Sequence, residues 1–202
     1  MSETIRNPKQ SRSIDKKARI IEAGYRLFAR DGYYNTNTAR IAKEAGVSTG
    51  IVYGYFHDKR DILLEVLNLY IGKVFEPIFE MVAKISRPIR FRDIFSHAID
   101  AVVEMHGKNA AIHATLHSLT NSDEKVNDAF IELENSMTMR LSARLIEEGF
   151  PAEHLNEKVH LAIRSIQDYA HECVYDHHDY IDYPAMKELL VEMLTHLFER
   201  SE

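Results

Sequence analysis

Apolar residues recur at three- and four-residue spacings along nearly the whole chain, and no stretch alternates as a half-buried strand does. Ile20, Ile21, Gly24, Leu27 and Phe28 share one helical face, with Asp15 near its start and Gly32 to stop it. Thr38 is placed to cap a short helix, ARIAKEA, that Gly46 ends. Ser48 can cap a second short helix within GVSTGIVYGYF, residues 46–56. Asp58 precedes a longer helix from Lys59, with Ile62, Leu63, Val66, Leu67, Tyr70, Val74 and Phe75 inward, and Pro77 should kink or end it. Further breaks fall near Ser86–Pro88, Gly107–Asn109, Thr120–Asp123, Gly149–Pro151 and Tyr183–Pro184. The pattern predicts an all-α chain of about nine helices, three short ones joined without a linker to a bundle of longer ones.

Residues 46–56 depart from that regularity. Gly50 and Gly54 lie inside the predicted helix, where glycine costs about 1 kcal/mol relative to alanine. Val52 and Phe56, four apart, form a buried face, which leaves Tyr53 and Tyr55 pointing elsewhere. Such a helix gains nothing from its own packing. Its bare face suits close approach to a partner.

Composition narrows the partner. The 202 residues are 45% hydrophobic and 28% charged, enough for a core and a solvated surface. The single cysteine, Cys173, excludes an internal disulfide framework and suits a reducing cytoplasm. The opening stretch is polar, and no segment approaches about 20 uninterrupted apolar residues, so no membrane partner is expected. The net charge of −6 is unevenly spread. Residues 1–60 hold 12 Lys+Arg against 6 Asp+Glu, and the remainder 13 against 25. A basic first third on an acidic body points to a polyanion met by that third alone. Residues 1–13, with Arg6, Lys9 and Arg12, predict a disordered basic arm.

The helix, tight turn and second helix from Thr38 to Phe56 have the plan of a helix-turn-helix, with Ile41, Ala42, Ala45, Val47, Val52 and Phe56 as a shared core. Thr38, Ser48 and Thr49 stand at helix starts, where hydroxyls and N–H groups meet phosphates, and Lys59 stands one helix later. Here FARDGYYNTNTARIAKEAGVSTGIVYGYFHDKRDILLEVL resembles the DNA-binding domain of the TetR/AcrR family of transcriptional regulators. The matching residues are Phe28, Gly32-Tyr33, Thr38, Ile41-Ala42, Ala45-Gly46-Val47-Ser48, Gly50, Val52-Tyr53, Tyr55-Phe56, Lys59 and Leu63-Leu64. The resemblance spans roughly residues 14–74, about a third of the chain.

The resemblance implies an N-terminal three-helix DNA-binding domain over 14–74 (motif 37–56), joined to a helical effector-binding and dimerisation domain over 75–202. It implies a homodimer on a palindromic operator, most often a repressor released by a small molecule. Carried over by position, Thr38, Tyr53, Tyr55 and Lys59 match phosphate contacts, and Thr49, Gly50, Ile51 and Gly54 match positions at base edges. The chain departs from the pattern at Thr49, often basic in relatives, and at Gly54, usually a side chain. Ile51 could then pack on a thymine methyl. Arg40, the arm or DNA shape would supply the remaining specificity.

In the C-terminal part, Leu155, Val159, Ile163, Ile166, Ala170 and Cys173 form one stripe, and Met186, Leu189, Leu190, Met193, Leu194, Leu197 and Phe198 another. Two such helices close a core or, as the resemblance implies, pair with their symmetry mates. Val159, Ile163, Ile166, Met186, Leu190, Met193, Leu194 and Leu197 are the expected interface. Phe75, Phe79, Phe95, Met105, Leu116, Met137, Met139, Ile166 and Tyr169 are candidate walls of an effector pocket for a hydrophobic or aromatic molecule, with His113, His117, Gln167 and His171 to orient it.

Eleven histidines leave a second reading open. His113 and His117 are four apart on one helix, and His171, His177 and His178 accompany Glu172, Asp176 and Asp179. A metal-dependent helical enzyme could use them. The chain lacks HExxH, GxSxG, GxGxxG and a phosphate-binding glycine loop, so no catalytic residue, metal or cofactor is assigned. A helical interaction module without DNA binding is a third reading, for which Thr49 and Gly54 are the only hints.

Overall fold

The computed structural model describes residues 11–84 and 88–199, apart from the side chains of 11, 12, 74–79 and 81–83. Among these residues there are nine α-helices and no strand. They are α1 (Ser11–Asp31), α2 (Thr38–Ala45), α3 (Thr49–Tyr53), α4 (Lys59–Ala83), α5 (Phe91–Lys108), α6 (Ala110–His117), α7 (Glu124–Glu147), α8 (Leu155–Val174) and α9 (Tyr183–Glu199). Helix α1 already includes residues 11–13, which the sequence placed in a disordered arm; residues 1–10 of that arm lie outside the described residues. Helix α4 runs on through Pro77 instead of ending there. One missing i→i−4 bond leaves the bonds of the flanking turns in place. The predicted break at Ser86–Pro88 falls largely on residues outside those described.

Contacts divide the chain into two compact units. The first comprises the residues up to Lys73 together with Ala111–Asp128. The sequence had assigned 75–202 to one domain, but α6 and the start of α7 return to the first unit. Local periodicity shows that α6 is a helix and is silent on what it packs against.

The first unit closes on α1, α2 and α4. Ile20, Ala23, Leu27 and Phe28 of α1 are buried with Ile41, Ala42 and Ala45 of α2 and Ile62, Leu63, Val66 and Leu67 of α4. Burying each large aliphatic or aromatic side chain stabilises the fold by about 1.5–3 kcal/mol. Gly24 lets α1 and α4 approach closely, since a Cβ there would lie 2.8 Å from Ile62 Cγ2. Helix α6 is anchored by Thr115, whose Oγ1 donates to the Phe28 carbonyl at 3.1 Å. Asp123, just before α7, accepts both Arg60 Nε (2.6 Å) and Arg60 Nη2 (2.7 Å).

The second unit comprises Val74–Ala110 and the residues from Ala129 onward. Helix α5 packs on α8 and α9. Phe91 stacks on Phe95 at 5.9 Å and meets Phe150 edge-on and Phe198 at 5.0 Å each, geometry that aromatic quadrupoles favour. Val159, Ala162, Ile163, Ile166, Val191 and Leu194 complete this core. Arg92–Glu188 (2.6 Å) and Lys187–Asp100 (2.7 Å) join α5 to α9 at the surface.

Candidate nucleic-acid interface

The turn between α2 and α3 follows from three residues. Asn37, not Thr38, is the N-cap of α2, and its side chain accepts the Arg40 N–H at 2.9 Å. Asparagine outranks threonine as a cap, so the adjacent pair could have been resolved from sequence. Gly46 ends the helix in the left-handed region (φ 66°), while the Val47 N–H donates to the Ala42 carbonyl at 3.0 Å. Ser48 caps α3 through a long 3.4 Å bond from the Ile51 N–H. Arg19 of α1 braces this corner, its Nη2 donating to the Ala45 carbonyl at 2.5 Å.

Helix α3 buries Val52, and Phe56 follows it into the core. Thr49, Gly50 and Tyr53 are exposed, and Ile51 and Gly54 are half-buried. Tyr53 is 50% exposed, and its hydroxyl lies 3.0 Å from Thr38 Oγ1. Freed from capping, Thr38 presents a hydroxyl next to that of Tyr53. A Cβ on Gly50 would meet only Ser48 Oγ, at 3.9 Å. Gly54 has an ordinary right-handed conformation (φ −72°, ψ −16°) and meets only the backbone of its own turn. Gly50 is demanded by neither backbone nor neighbours, whereas a Cβ on Gly54 would press on the Ile51 carbonyl oxygen at 3.3 Å.

Three expected DNA contacts are otherwise engaged. Tyr55 is 8% exposed, and its hydroxyl shares a 2.7 Å bond with Ser13 of α1, so it packs the core instead of facing outward. It is two residues from Tyr53, about 200° around the helix. Arg40 donates to the Asn35 carbonyl at 2.6 Å and pairs with Asp31, so it braces the α1–α2 loop. Asp31 is shared with Arg30, and that hydrogen bond, with the charge of both arginines, holds its carboxyl below the usual range. Lys59 Nζ donates to the carbonyls of Tyr33 (2.6 Å) and Thr36 (2.8 Å) and lies 4.0 Å from the Tyr33 ring centre. Burial pulls its pKa below the ordinary lysine value.

Residues 20–66, from α1 into α4, match the family model described as bacterial regulatory proteins, tetR family. The HTH-type transcriptional regulator HbdR of Aromatoleum sp. (strain CIB) is 28% identical over 185 residues, 92% of this chain and 80% of that protein. Residues 20–66 are thus a TetR-family DNA-binding domain, and the relatives support a TetR/AcrR-type transcriptional regulator. The chain is therefore a DNA-binding regulator and not an enzyme. Two solved structures share the fold. Salmonella enterica GusR superposes with a TM-score of 0.72 at 16% identity, over 95% of this chain and 100% of that one. The Bacillus subtilis regulator FadR, in complex with stearoyl-CoA, superposes with a TM-score of 0.64 at 22% identity, over 88% and 97%.

The residues expected at a dimer interface divide sharply. Val159, Ile163, Ile166 and Leu194 are buried within their own unit, so they close its core. Met186 and Met193 are exposed, and Leu190 and Leu197 are half-buried. The apolar residues that face outward also include Leu161 (55% exposed) and Leu189 (67%). Leu161 lies two positions from both Val159 and Ile163, on the opposite side of α8. On α8 the expected residues face inward, whereas on α9 Met186 and Met193 face outward.

The expected effector walls fall in both units. Phe95, Met137, Ile166 and Tyr169 are buried and Met105 half-buried in the second unit, whereas His113 and Leu116 are buried, and His117 exposed, in the first. Phe75 and Phe79 have side chains outside those described. Met139 is exposed and lines an open groove of about 370 Å³ between α7 and α8, with Asn135, Thr138, Asn156, Glu157 and His160.

Several histidines meet aromatic rings or polar groups. His113 Nδ1 lies 2.6 Å from the Tyr70 hydroxyl, and its ring is 5.1 Å from that of His117. His171 packs edge-on to His106 at 5.1 Å, and His177 stacks on Tyr183 at 4.5 Å. His178 Nδ1 is 3.8 Å from Glu172 Oε1. His106, absent from the sequence reading, is 1% exposed, with its Nδ1–H donating to the Val102 carbonyl at 2.9 Å.

Proposed function

We propose that the chain is a ligand-responsive repressor acting in the cytoplasm as a homodimer on a palindromic operator. Its DNA-binding domain spans 14–74, and residues 75–202 supply effector binding and dimerisation. The observation that carries the reading is the exposed Thr38–Tyr53 hydroxyl pair beside the bare Gly50–Gly54 side of α3. Two hydroxyls at one edge can donate to phosphate oxygens, and a helix without side chains there can approach base edges closely. Thr49 and Ile51 supply the side chains nearest the bases, with Ile51 suited to a thymine methyl.

Two such heads at fixed spacing read a palindrome, which requires a two-fold dimer. The outward apolar residues Leu161, Met186, Leu189 and Met193 of α8 and α9 support a self-complementary interface there. No helix among the described residues is long and apolar enough to cross a membrane. The effector is a small hydrophobic or aromatic molecule. The stearoyl-CoA bound by the FadR neighbour makes long-chain acyl-CoA the first compound to test.

Footprinting on DNA upstream of the chain's own gene tests this reading. A protected palindrome, lost on adding acyl-CoA or an aromatic compound, supports it. Absence of any protected sequence sinks the operator assignment, and protection indifferent to the whole panel sinks the effector assignment.

A further inference from the structure

We propose that Lys59 is a positioning residue for DNA binding, which holds the entrance to α2 so that Thr38 meets Tyr53, and that it is not one of the phosphate-neutralising cations. This rests on the DNA-binding reading above and assigns Lys59 a different part in it.

The geometry begins at the loop before α2. Gly32 closes α1 with its N–H on the Phe28 carbonyl at 3.0 Å. Thr36 is 2% exposed and folds back, its Oγ1 donating to the Gly32 carbonyl at 2.9 Å and its N–H to the Tyr33 carbonyl at 3.3 Å. The loop thus turns the carbonyls of Tyr33 and Thr36 toward α4, where Lys59 Nζ donates to both at 2.6 and 2.8 Å. The Tyr33 ring covers the ammonium from a third side at 4.0 Å. A lysine ammonium has three N–H bonds, and two carbonyls and a ring face account for three directions. Asn37 and Thr38 follow directly, so the position of the Thr38 hydroxyl depends on this tether.

A phosphate contact and a tether differ in their salt dependence. Each phosphate neutralised adds about 0.9 to the slope of log K against log salt concentration. A tether lowers affinity by the same factor at every salt concentration. Without Lys59, two partly buried carbonyls lose their donor and the loop relaxes.

The test uses the full chain and a duplex of about 30 base pairs, which the wild type enriches from a random-sequence library. Lys59→Met should weaken binding by about tenfold at all salt concentrations, with the slope unchanged. A slope reduced by about 0.9 overturns the proposal. Thr38→Val should weaken the wild type yet cost nothing further in the Lys59→Met background; additive losses also overturn it. Should Lys59→Met not fold, Tyr33→Leu removes the ring and keeps the charge. Reduced affinity at unchanged slope supports the tether, whereas unchanged or tighter binding indicates a cation released to phosphate. If the wild type enriches no duplex, the DNA-binding reading itself fails and takes this proposal with it.

Discussion

The Tyr53 hydroxyl lies 3.0 Å from Thr38 Oγ1 across the helix-turn-helix corner. One side chain leaves α2 at its first residue and the other leaves α3 at its last. Either hydroxyl can donate to the other and still offer a second hydrogen bond outward. Tyr53→Phe and Thr38→Val should each weaken DNA binding about fivefold, as expected for one net hydrogen bond of about 1 kcal/mol. Because phosphates carry no sequence information, the ranking of duplex sequences should stay the same. Titrations on a panel of related duplexes check both points.

Gly50 is not required by the fold. A Cβ there would meet only Ser48 Oγ at 3.9 Å, whereas one on Gly54 would lie 3.3 Å from the Ile51 carbonyl oxygen, a tight backbone contact. Gly50→Ala should therefore raise stability by about 0.4–1 kcal/mol through the unfolded chain's lost freedom. It should weaken DNA binding at the same time, because the methyl stands where the helix approaches the groove. Melting curves paired with affinity measurements test this. Unchanged affinity and sequence preference would mean that this glycine is merely tolerated.

Gly24 behaves in the opposite way. Its absent Cβ leaves room for Ile62 and Val66, both β-branched and fully buried. Branched side chains have little freedom to withdraw. Gly24→Ala should destabilise the first unit by about 1–3 kcal/mol despite the better helix propensity of alanine. Denaturant unfolding of the two proteins measures the difference.

The Arg60–Asp123 pair should make part of the stability acid-labile. The Arg60 hydrogen bond, with help from the N–H groups of Val126 and Lys125, holds the Asp123 carboxyl below its usual range. A depressed carboxylate contributes stability that is fully present above its unfolded pKa of about 3.9 and is lost as pH falls through the lower folded value. Arg60 is solvent-exposed, so water screens the pair and its contribution is small. Arg60→Ala should thus be less stable than wild type at pH 7, and the gap should close below about pH 4. Unfolding curves across that range decide it; a gap that persists at low pH would argue for lost packing instead of lost charge.

The outward residues of α8 and α9 give a test of assembly. Leu189→Glu places a charge on a residue that is 67% exposed, and Val159→Glu places one at a fully buried position. The first should leave a folded monomer, and the second should unfold the unit by burying an unpaired charge. Sedimentation and circular dichroism distinguish the two. A Leu189→Glu protein that remains dimeric would move the interface elsewhere.

Much of the helical plan was legible in sequence because helices are local. Apolar spacing, Gly46 and the Ser48 cap depend on neighbours within a turn or two, and they locate the motif that the family match then covers. Of the expected shared core, Ile41, Ala42, Ala45, Val52 and Phe56 are buried and Val47, in the turn, is half-buried. Side-chain partners across long separations were not legible. The sequence reading turned both Tyr53 and Tyr55 outward, but packing leaves Tyr53 at the surface and buries Tyr55 against Ser13. Arg60 and Asp123 lie 63 positions apart, and the Lys59 tether reaches back 23 and 26. The stripes on α8 and α9 showed amphipathic helices, yet which apolar residues serve a monomer core depends on where α5 lies. The sequence by itself determined an all-helical regulator with a DNA-reading corner, because hydrophobic period and capping are properties of adjacent residues. Tertiary structure alone decided which hydroxyls, cations and apolar faces remain free, because hydrogen bonds and burial are settled by ångström-scale proximity between segments that sequence order leaves far apart.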